Sequence, residues 1–447
     1  MTPLYRLSQP HHNPRAPMSP LLTGLRRICL GLVWAAAGLG GVIPTLLTSA
    51  PIASAADPNQ ASEVKGESVR PEVGNPLQAA QELIKAQRYR QALAKIQEAD
   101  AANDKTAYEL YVIERLRGVA AAGAGDAEVA IKSFESTINS GRLSPSDKLK
   151  MMEALAGMCY RRKDYPSAIA WATRYGKEGG TGEDMHRLLI QAYYLNNDFP
   201  NAERELRVEL QADENAGRAP PEDRLQLLAS CYLKQKDTLG YAMTLEKLVT
   251  YYPKKEYWAD LVYRIETKPG FAPRLSLDLY RLKLALGIPQ SAGQFVEMTQ
   301  LALQAGFPAE AKTFVDRGFA AGVLGSGPDA DRHKRLRALA TKSATEDQKT
   351  LAQDEADAAA AKDGTGLVNT GFVYVVRGEF EKGIDLMERG IRKGGLKYPN
   401  DAKLHLGIAY LLSGQKEQAM RAFKSVQGAD GTADLARFWS IYARKPT

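Results

Sequence analysis

The sequence predicts an all-α protein, an α-solenoid of about ten antiparallel helical hairpins. Two observations lead there. Gly371, Tyr374, Gly378, Gly383 and Met387 recur as Gly407, Tyr410, Gly414, Ala419 and Phe423, and every offset is 36 residues. A constant return of that length marks a repeat array. Within each copy, small residues stand where two helices must approach, larger apolar residues fill the space between neighbours, and a glycine ends the first helix where a left-handed residue is often needed. Neither helix of such a hairpin can bury its apolar stripe alone, so the hairpins stack. The 447 residues, 44% of them hydrophobic, would suggest about three domains if each had its own core. An array needs no single core.

Residues 1–56 read as an export signal. Arg26-Arg27 precede an apolar run from Ile28 to Leu47, and Ala53-Ser54-Ala55-Ala56 supply small residues before the first acid, Asp57. Basic, apolar and small-residue regions in that order direct export, with cleavage expected at 55–57. Left uncleaved, 28–47 is long enough to anchor the chain in a bilayer. Residues 57–74 are polar and aperiodic, which predicts a flexible spacer. Cys159 and Cys231 remain after cleavage, and each is expected as a free core thiol, since an oxidising compartment permits a disulfide without requiring one.

The solenoid is expected over 75–430. Its first unit carries Ala80, Leu83, Tyr89, Ala92 and Ile96; the second carries Gly118, Ala121, Gly125, Ala130 and Phe134. The third has Leu155, Cys159, Tyr165 and Ala168, and the fourth has Leu189, Tyr193, Phe199 and Ala202. In the fifth, Leu228, Ala229, Tyr232 and Leu245 keep the pattern, but Tyr241 stands where a small residue belongs, so its second helix should splay or shift. Trp258, Leu261, Val262 and Ile265 open the sixth, whose helices are separated by Pro269-Gly270 and Pro273. Met298, Ala302, Gly306, Ala311 and Val315 make the seventh. At 331–361 the pattern frays, and alanines on a charged background predict a degenerate hairpin or a protruding helical pair. The recurring pair described above forms the ninth and tenth units. Residues 431–447 predict a capping helix with Leu435, Phe438, Trp439 and Tyr442 on one face.

The formal charge of +7 owes four arginines to residues 1–56, which hold no acid; beyond them 55 basic residues face 52 acidic ones. No basic run would track phosphates, so nucleic acid is not an expected partner. His186, His333 and His405 lie far apart and neither remaining cysteine neighbours one of them, so no metal site is expected. There is no His-Glu-x-x-His and no nucleophile elbow. Gly364-Thr365-Gly366 follows an alanine-rich helix rather than a strand and reads as a loop. The chain is therefore not expected to be an enzyme, and no catalytic residue or cofactor is assigned. Two buried acids facing each other across a closed cleft would reopen the question.

These motifs resemble the tetratricopeptide repeat family, with its Trp-x2-Leu-Gly-x2-Tyr followed by Ala and Phe. The stretches Tyr251-Tyr252-Pro253-Lys254-Lys255-Glu256-Tyr257-Trp258 and Gly394-Gly395-Leu396-Lys397, leading into Leu406-Gly407-Ile408-Ala409-Tyr410, further resemble exported proteobacterial repeat proteins. Some of those are associated with TonB-type energy-coupling systems. The resemblance implies a protein-binding scaffold without cofactors, whose first helices line a concave groove. Mapped here, the front of the groove is polar, with Glu153, Tyr160, Asp184, Arg187, Gln191, Tyr194, Glu256, Tyr263 and Glu266. Its rear is apolar, with Val368, Phe372, Val375, Leu404, Ile408 and Leu411. The candidate partner contacts are Tyr160, Arg187, Gln191, Tyr194, Tyr263, Phe372 and Ile408. Tyrosine suits contact surfaces because it is large, rigid and polar at its tip. Each of these aromatics also has a reading as core, and the rear positions have one as the seat of the C-terminal cap.

The function expected from these features is a periplasmic scaffold or adaptor that binds envelope proteins, components of TonB-type systems among them. Membrane contact is expected only if 28–47 is retained. Two other readings stay open: a membrane-anchored assembly factor of an envelope complex, facing the periplasm, and a cell-wall protein that binds or processes carbohydrate.

Overall fold

The computed structural model describes residues 67–444. The expected export signal, the apolar run 28–47 and the expected spacer up to residue 66 lie outside the described residues. Within them the chain forms 20 α-helices and no strand. They divide into two compact units, 67–238 and 239–444.

The first unit contains α1 (Pro71–Lys85), α2 (Tyr89–Asp100), α3 (Ala107–Ala124), α4 (Ala127–Asn139), α5 (Pro145–Arg161), α6 (Tyr165–Lys177), α7 (Glu183–Leu195), α8 (Phe199–Asn215) and α9 (Glu222–Gln235). One turn design recurs between the helices of its hairpins. A single left-handed residue ends the first helix (Gly125, Lys163 and Asn197), and the following aspartate caps the second. Asp126, Asp164 and Asp198 each accept a bond from the backbone N–H three residues on. Each also donates its own N–H back to the carbonyl five residues earlier, at 2.9 Å. That pattern satisfies the orphaned groups at both helix ends in four residues. Asparagine and lysine do at Asn197 and Lys163 what glycine does at Gly125, which is why a glycine search alone misses these turns.

The N-terminal edge is more ordered than a spacer would be. The helix begins at Pro71, and Arg70 reaches α3, where its Nε and Nη2 each lie 2.9 Å from a Glu109 oxygen. The Glu109 carboxyl is fully buried and also accepts the Thr106 N–H. The Arg70 guanidinium and the Thr106 N–H hold it down at about 2. The expected boundary at residue 74 therefore moves toward the N-terminus.

Beyond helices adjacent in the chain, contacts from one hairpin to the next run α1 to α3 and α5 to α7. The odd-numbered helices therefore lie closer together than the even-numbered ones and form the inner layer of this unit. Its core is continuous from Val73 and Leu77 through Ile113, Met152 and Leu155 to Ala192.

The second unit contains α10 (Thr238–Tyr251, from its second residue), α11 (Lys255–Glu266), α12 (Ser276–Ala285, after a short 3₁₀ turn), α13 (Ala292–Gln304), α14 (Pro308–Ala320), α15 (Ala330–Ala360), α16 (Thr365–Val376), α17 (Phe380–Lys393), α18 (Pro399–Leu412), α19 (Lys416–Lys424) and α20 (Thr432–Ala443). Tyr241 is fully buried, its hydroxyl donating to Asp260 at 2.6 Å and its ring covered by Arg264. The bulky residue is thus accommodated by turning toward α11. Where a degenerate hairpin was expected at 331–361, the chain forms one helix of 31 residues. The reason is visible in its composition: from Ala330 to Ala361 there is neither glycine nor proline, and strong helix formers fill the interval.

The even-numbered helices of this unit touch in sequence, α14 to α16, α16 to α18, α18 to α20, and α20 returns to α12. A clasp fastens that return. Arg274 pairs with Asp401 at 2.8 Å and Asp430 at 2.6 Å, Lys268 pairs with Asp434 at 2.8 Å, and Arg437 pairs with Glu246 at 2.9 Å. The Ala272 N–H donates to the Asp430 carbonyl at 2.9 Å, and the Trp258 and Phe438 rings meet edge to face. The expected capping helix is present, with Leu435, Phe438 and Trp439 buried. It closes the unit on itself rather than merely covering an end.

Close approach is most extreme between α16 and α17. A Cβ on Gly371 would lie 2.6 Å from the Gly383 carbonyl oxygen, and one on Gly383 would lie 2.6 Å from that of Gly371. At Gly407 and Gly118 a Cβ would strike Phe423 and Phe134, each at 2.4 Å. Gly176, at the exposed end of α6, has open space around it. Gly371→Ala is therefore expected to cost about 1–3 kcal/mol in urea unfolding, because backbone must move aside. Gly176→Ala should be stabilising by up to about 1 kcal/mol, through helix propensity alone.

Candidate functional site

The seven candidate contacts fall in both units. In the first, Tyr160 lies on α5, and Arg187, Gln191 and Tyr194 lie on α7. The Tyr160 hydroxyl donates to Gln191 Oε1 at 3.1 Å, and the Tyr194 hydroxyl lies 2.7 Å from Ser230 Oγ on α9. The steps from α5 to α7 and from α7 to α9 are thus each bridged by a side-chain hydrogen bond. Each ring also packs edge-on against the residue that opens the next helix, Tyr160 on Tyr165 and Tyr194 on Phe199. Burial pushes the Tyr160 phenol up to about 12, so the hydroxyl stays a donor throughout the ordinary pH range. These tyrosines set the spacing of the inner layer. Arg187 is exposed and pairs with Glu183 at 3.2 Å and Asp184 at 3.5 Å on its own helix. Glu153 and Asp184 are exposed on the same layer.

In the second unit, Tyr263 on α11 is 48% exposed, which leaves its ring available at the surface. Phe372 and Ile408 are buried, as are Val368, Val375 and Leu404. They are packing residues here and not groove surface. Phe372 does not sit under the C-terminal helix either. It contacts Phe307, stacks on His405 with ring centroids 4.9 Å apart, and lies beneath the Arg281 guanidinium at 4.7 Å.

Arg281 is the centre of a cluster that sequence reasoning missed. Its Nε and Nη2 donate to the two Glu310 oxygens at 2.8 and 2.6 Å, and Nη1 donates to Asp278 Oδ1 at 2.6 Å. His405 Nε2 lies 2.8 Å from the same Asp278 oxygen. Phe307 and Phe372 flank the guanidinium. These four side chains come from α12, α14 and α18, the same even-numbered helices that close the unit. Burial pushes the Asp278 carboxyl up, but His405 and Arg281 outweigh it and hold the group at about 2. Burial likewise opposes the Arg281 charge, and Glu310 and Asp278 raise its pKa well above the usual value. Two buried acids do face one point across this unit, but the guanidinium stands between them and pairs with both. One signal was available: Leu277, Leu279, Leu282 and Leu284 point to different sides of α12, between Asp278, Arg281 and Lys283. A helix with apolar residues on every side must be surrounded, and its charges buried with it.

Cys159 and Cys231 are buried and free. Burial pushes their thiols up, to about 11 and about 12, which leaves them poor nucleophiles. Among the described residues, no group of three or more His, Cys, Asp or Glu is placed to hold a metal ion, and no helix is long and apolar enough to cross a membrane.

The Tetratricopeptide repeat family model matches residues 225–255 and 401–429. Two segments of this chain are similar to the tetratricopeptide repeat. The second holds Gly407, Tyr410, Gly414, Ala419 and Phe423, the copy in which the 36-residue return ends. No curated protein matches the chain. Solved structures that match include a tetratricopeptide repeat protein from Parabacteroides merdae, 11% identical, with 74% of this chain and 98% of that one covered and a TM-score of 0.26. Yeast Tom70 is 12% identical over 83% of this chain and 94% of its own, with a TM-score of 0.24. Naa15/Naa10 bound to HypK-THB is 13% identical over 80% and 69%, with a TM-score of 0.25.

Two tests follow from the Arg281 cluster. Arg281→Ala leaves two carboxylates buried without their cation, and about 3–5 kcal/mol of stability should be lost, read by urea unfolding through Trp258 and Trp439. Asp278 is held below its ordinary value of 3.8, so its contribution is complete above that pH and is lost as pH falls toward about 2. The melting temperature of the native chain should fall over that window, and Asp278→Asn should flatten that part of the profile.

Proposed function

We propose that this chain is an exported protein-binding scaffold that docks partner segments on the odd-numbered helices of residues 67–238. The observation that supports it is the pinned inner layer. Tyr160–Gln191 and Tyr194–Ser230 fix the steps between α5, α7 and α9, while Glu153, Asp184 and Arg187 remain exposed beside them. A surface built before the partner arrives loses little side-chain freedom on binding. Its alternating acid and base call for a partner segment that itself carries both charges. Tetratricopeptide repeats generally mediate protein–protein contact, which agrees with this reading.

The compartment proposed is the periplasm, on the strength of the basic, apolar and small-residue order of residues 1–56. The partners proposed are envelope proteins. Components of TonB-type systems are included among them, because of the resemblance at Tyr251–Trp258 and 394–410. If 28–47 is retained, the same scaffold would act from the membrane surface.

Site-specific photo-crosslinking in cells tests the docking surface. A crosslinker at Glu153 or at Arg187 should capture the same protein. One at Arg207 on α8, an exposed position outside the inner layer, should not. Equal capture from all three positions, or none from the first two, would remove the proposed surface.

A further inference from the structure

The long helix α15 distributes its charge against the grain of its own dipole. Its first half carries Arg332, Lys334, Arg335, Arg337 and Lys342 against the single acid Asp331, while its second half carries five acids against Lys349. A helix by itself favours the opposite order, with acids at the start and bases at the end. The acidic half is partly accounted for inside the molecule. Asp347 pairs with Arg377 at 2.6 Å, and Glu355 pairs with Lys382 at 2.7 Å and accepts the Tyr374 hydroxyl.

What remains lies along one stripe. Arg332, Arg335 and Leu339 are exposed and spaced three and then four residues apart. Three turns further on, Thr350, Asp354 and Asp357 continue the line at intervals of four and three, also exposed. Residues at such spacings share a helix face. Arg332 and Arg335 make no ion pair, and Asp354 and Asp357 accept only neutral side chains, Thr350 and Gln353. Leu339 is 53% exposed.

We propose that this stripe binds a second copy of itself, two α15 helices pairing antiparallel about a two-fold axis. Reversing the helix about the point between Ala344 and Thr345 sets Arg332 opposite Asp357, Arg335 opposite Asp354 and Leu339 opposite Thr350. Each match occurs twice, because an isologous contact repeats every pair across the axis. The helix is about 46 Å long, so the two charge clusters lie far enough apart that like charges do not meet in this register. Parallel pairing, by contrast, would set arginine against arginine and aspartate against aspartate. Exposed ion pairs contribute little individually, so the dimer is weak and depends on salt.

Sedimentation velocity of the chain purified from cells decides the matter. At about 50 mM salt a monomer–dimer equilibrium is expected, weakened at least about tenfold at about 500 mM, where the screening length is only a few ångströms. Arg332→Glu with Arg335→Glu makes the stripe wholly acidic, and Asp354→Lys with Asp357→Lys makes it wholly basic. Each double variant alone should be monomeric, and an equimolar mixture of the two should dimerise like the native chain. Circular dichroism should show native helix content in both. A native chain that stays monomeric at low salt, double variants that dimerise undiminished, or a mixture that does not pair would each overturn the proposal.

Discussion

One buried guanidinium organises residues 239–444. Arg281 joins α12 to α14 through Glu310, shares Asp278 with His405 on α18, and rests on the ring of Phe372 from α16. Taking such a charge out of water is costly, and its neighbours offset that cost only where the geometry is good. The cluster therefore tolerates one arrangement of the four helices and penalises others. Loosely packed apolar side chains would have allowed neighbouring registers. The ion pairs around Arg274 and Lys268 do a similar job at the surface, where each pair is worth less and water competes.

The first unit solves the same spacing problem by a lighter route. There the inner helices are linked by neutral hydrogen bonds between side chains, and aromatic rings wedge against the start of the following helix. Charge is buried here too, at Glu109 paired with Arg70 and at Arg224 beside Glu209, but the layer keeps an exposed polar surface. One unit uses its inward-facing groups to seal itself, and the other uses them as a frame for a surface that stays open.

The helical hairpins were legible in the sequence because close approach leaves a mark: only a very small residue fits at Gly371, Gly383 and Gly407. The capping helix was legible from the spacing of its aromatic face. The closure of the second unit was not, because the partners of Arg274, Lys268 and Arg281 lie dozens to more than a hundred residues away. Hydrophobicity at Phe372 and Ile408 said that something would cover them without saying what. The candidates Tyr160 and Tyr194 lie on odd-numbered helices, but whether a tyrosine hydroxyl meets a ligand or a neighbouring glutamine depends on the distance between helices. The helix at 331–361 was mistaken for a pair because the repeat length was allowed to outweigh the absence of any residue that could form a turn.

That uninterrupted helix has a topological consequence. In an array where successive helices alternate sides, adding or losing two at once leaves every later copy facing as before. Adding one exchanges the sides. Beyond α15, the opening helices of the last two repeats, α16 and α18, therefore share a surface with the closing helices α12 and α14 of earlier ones. Odd–even arithmetic of this kind turns a rod that would grow by translation into a body that ends by meeting itself.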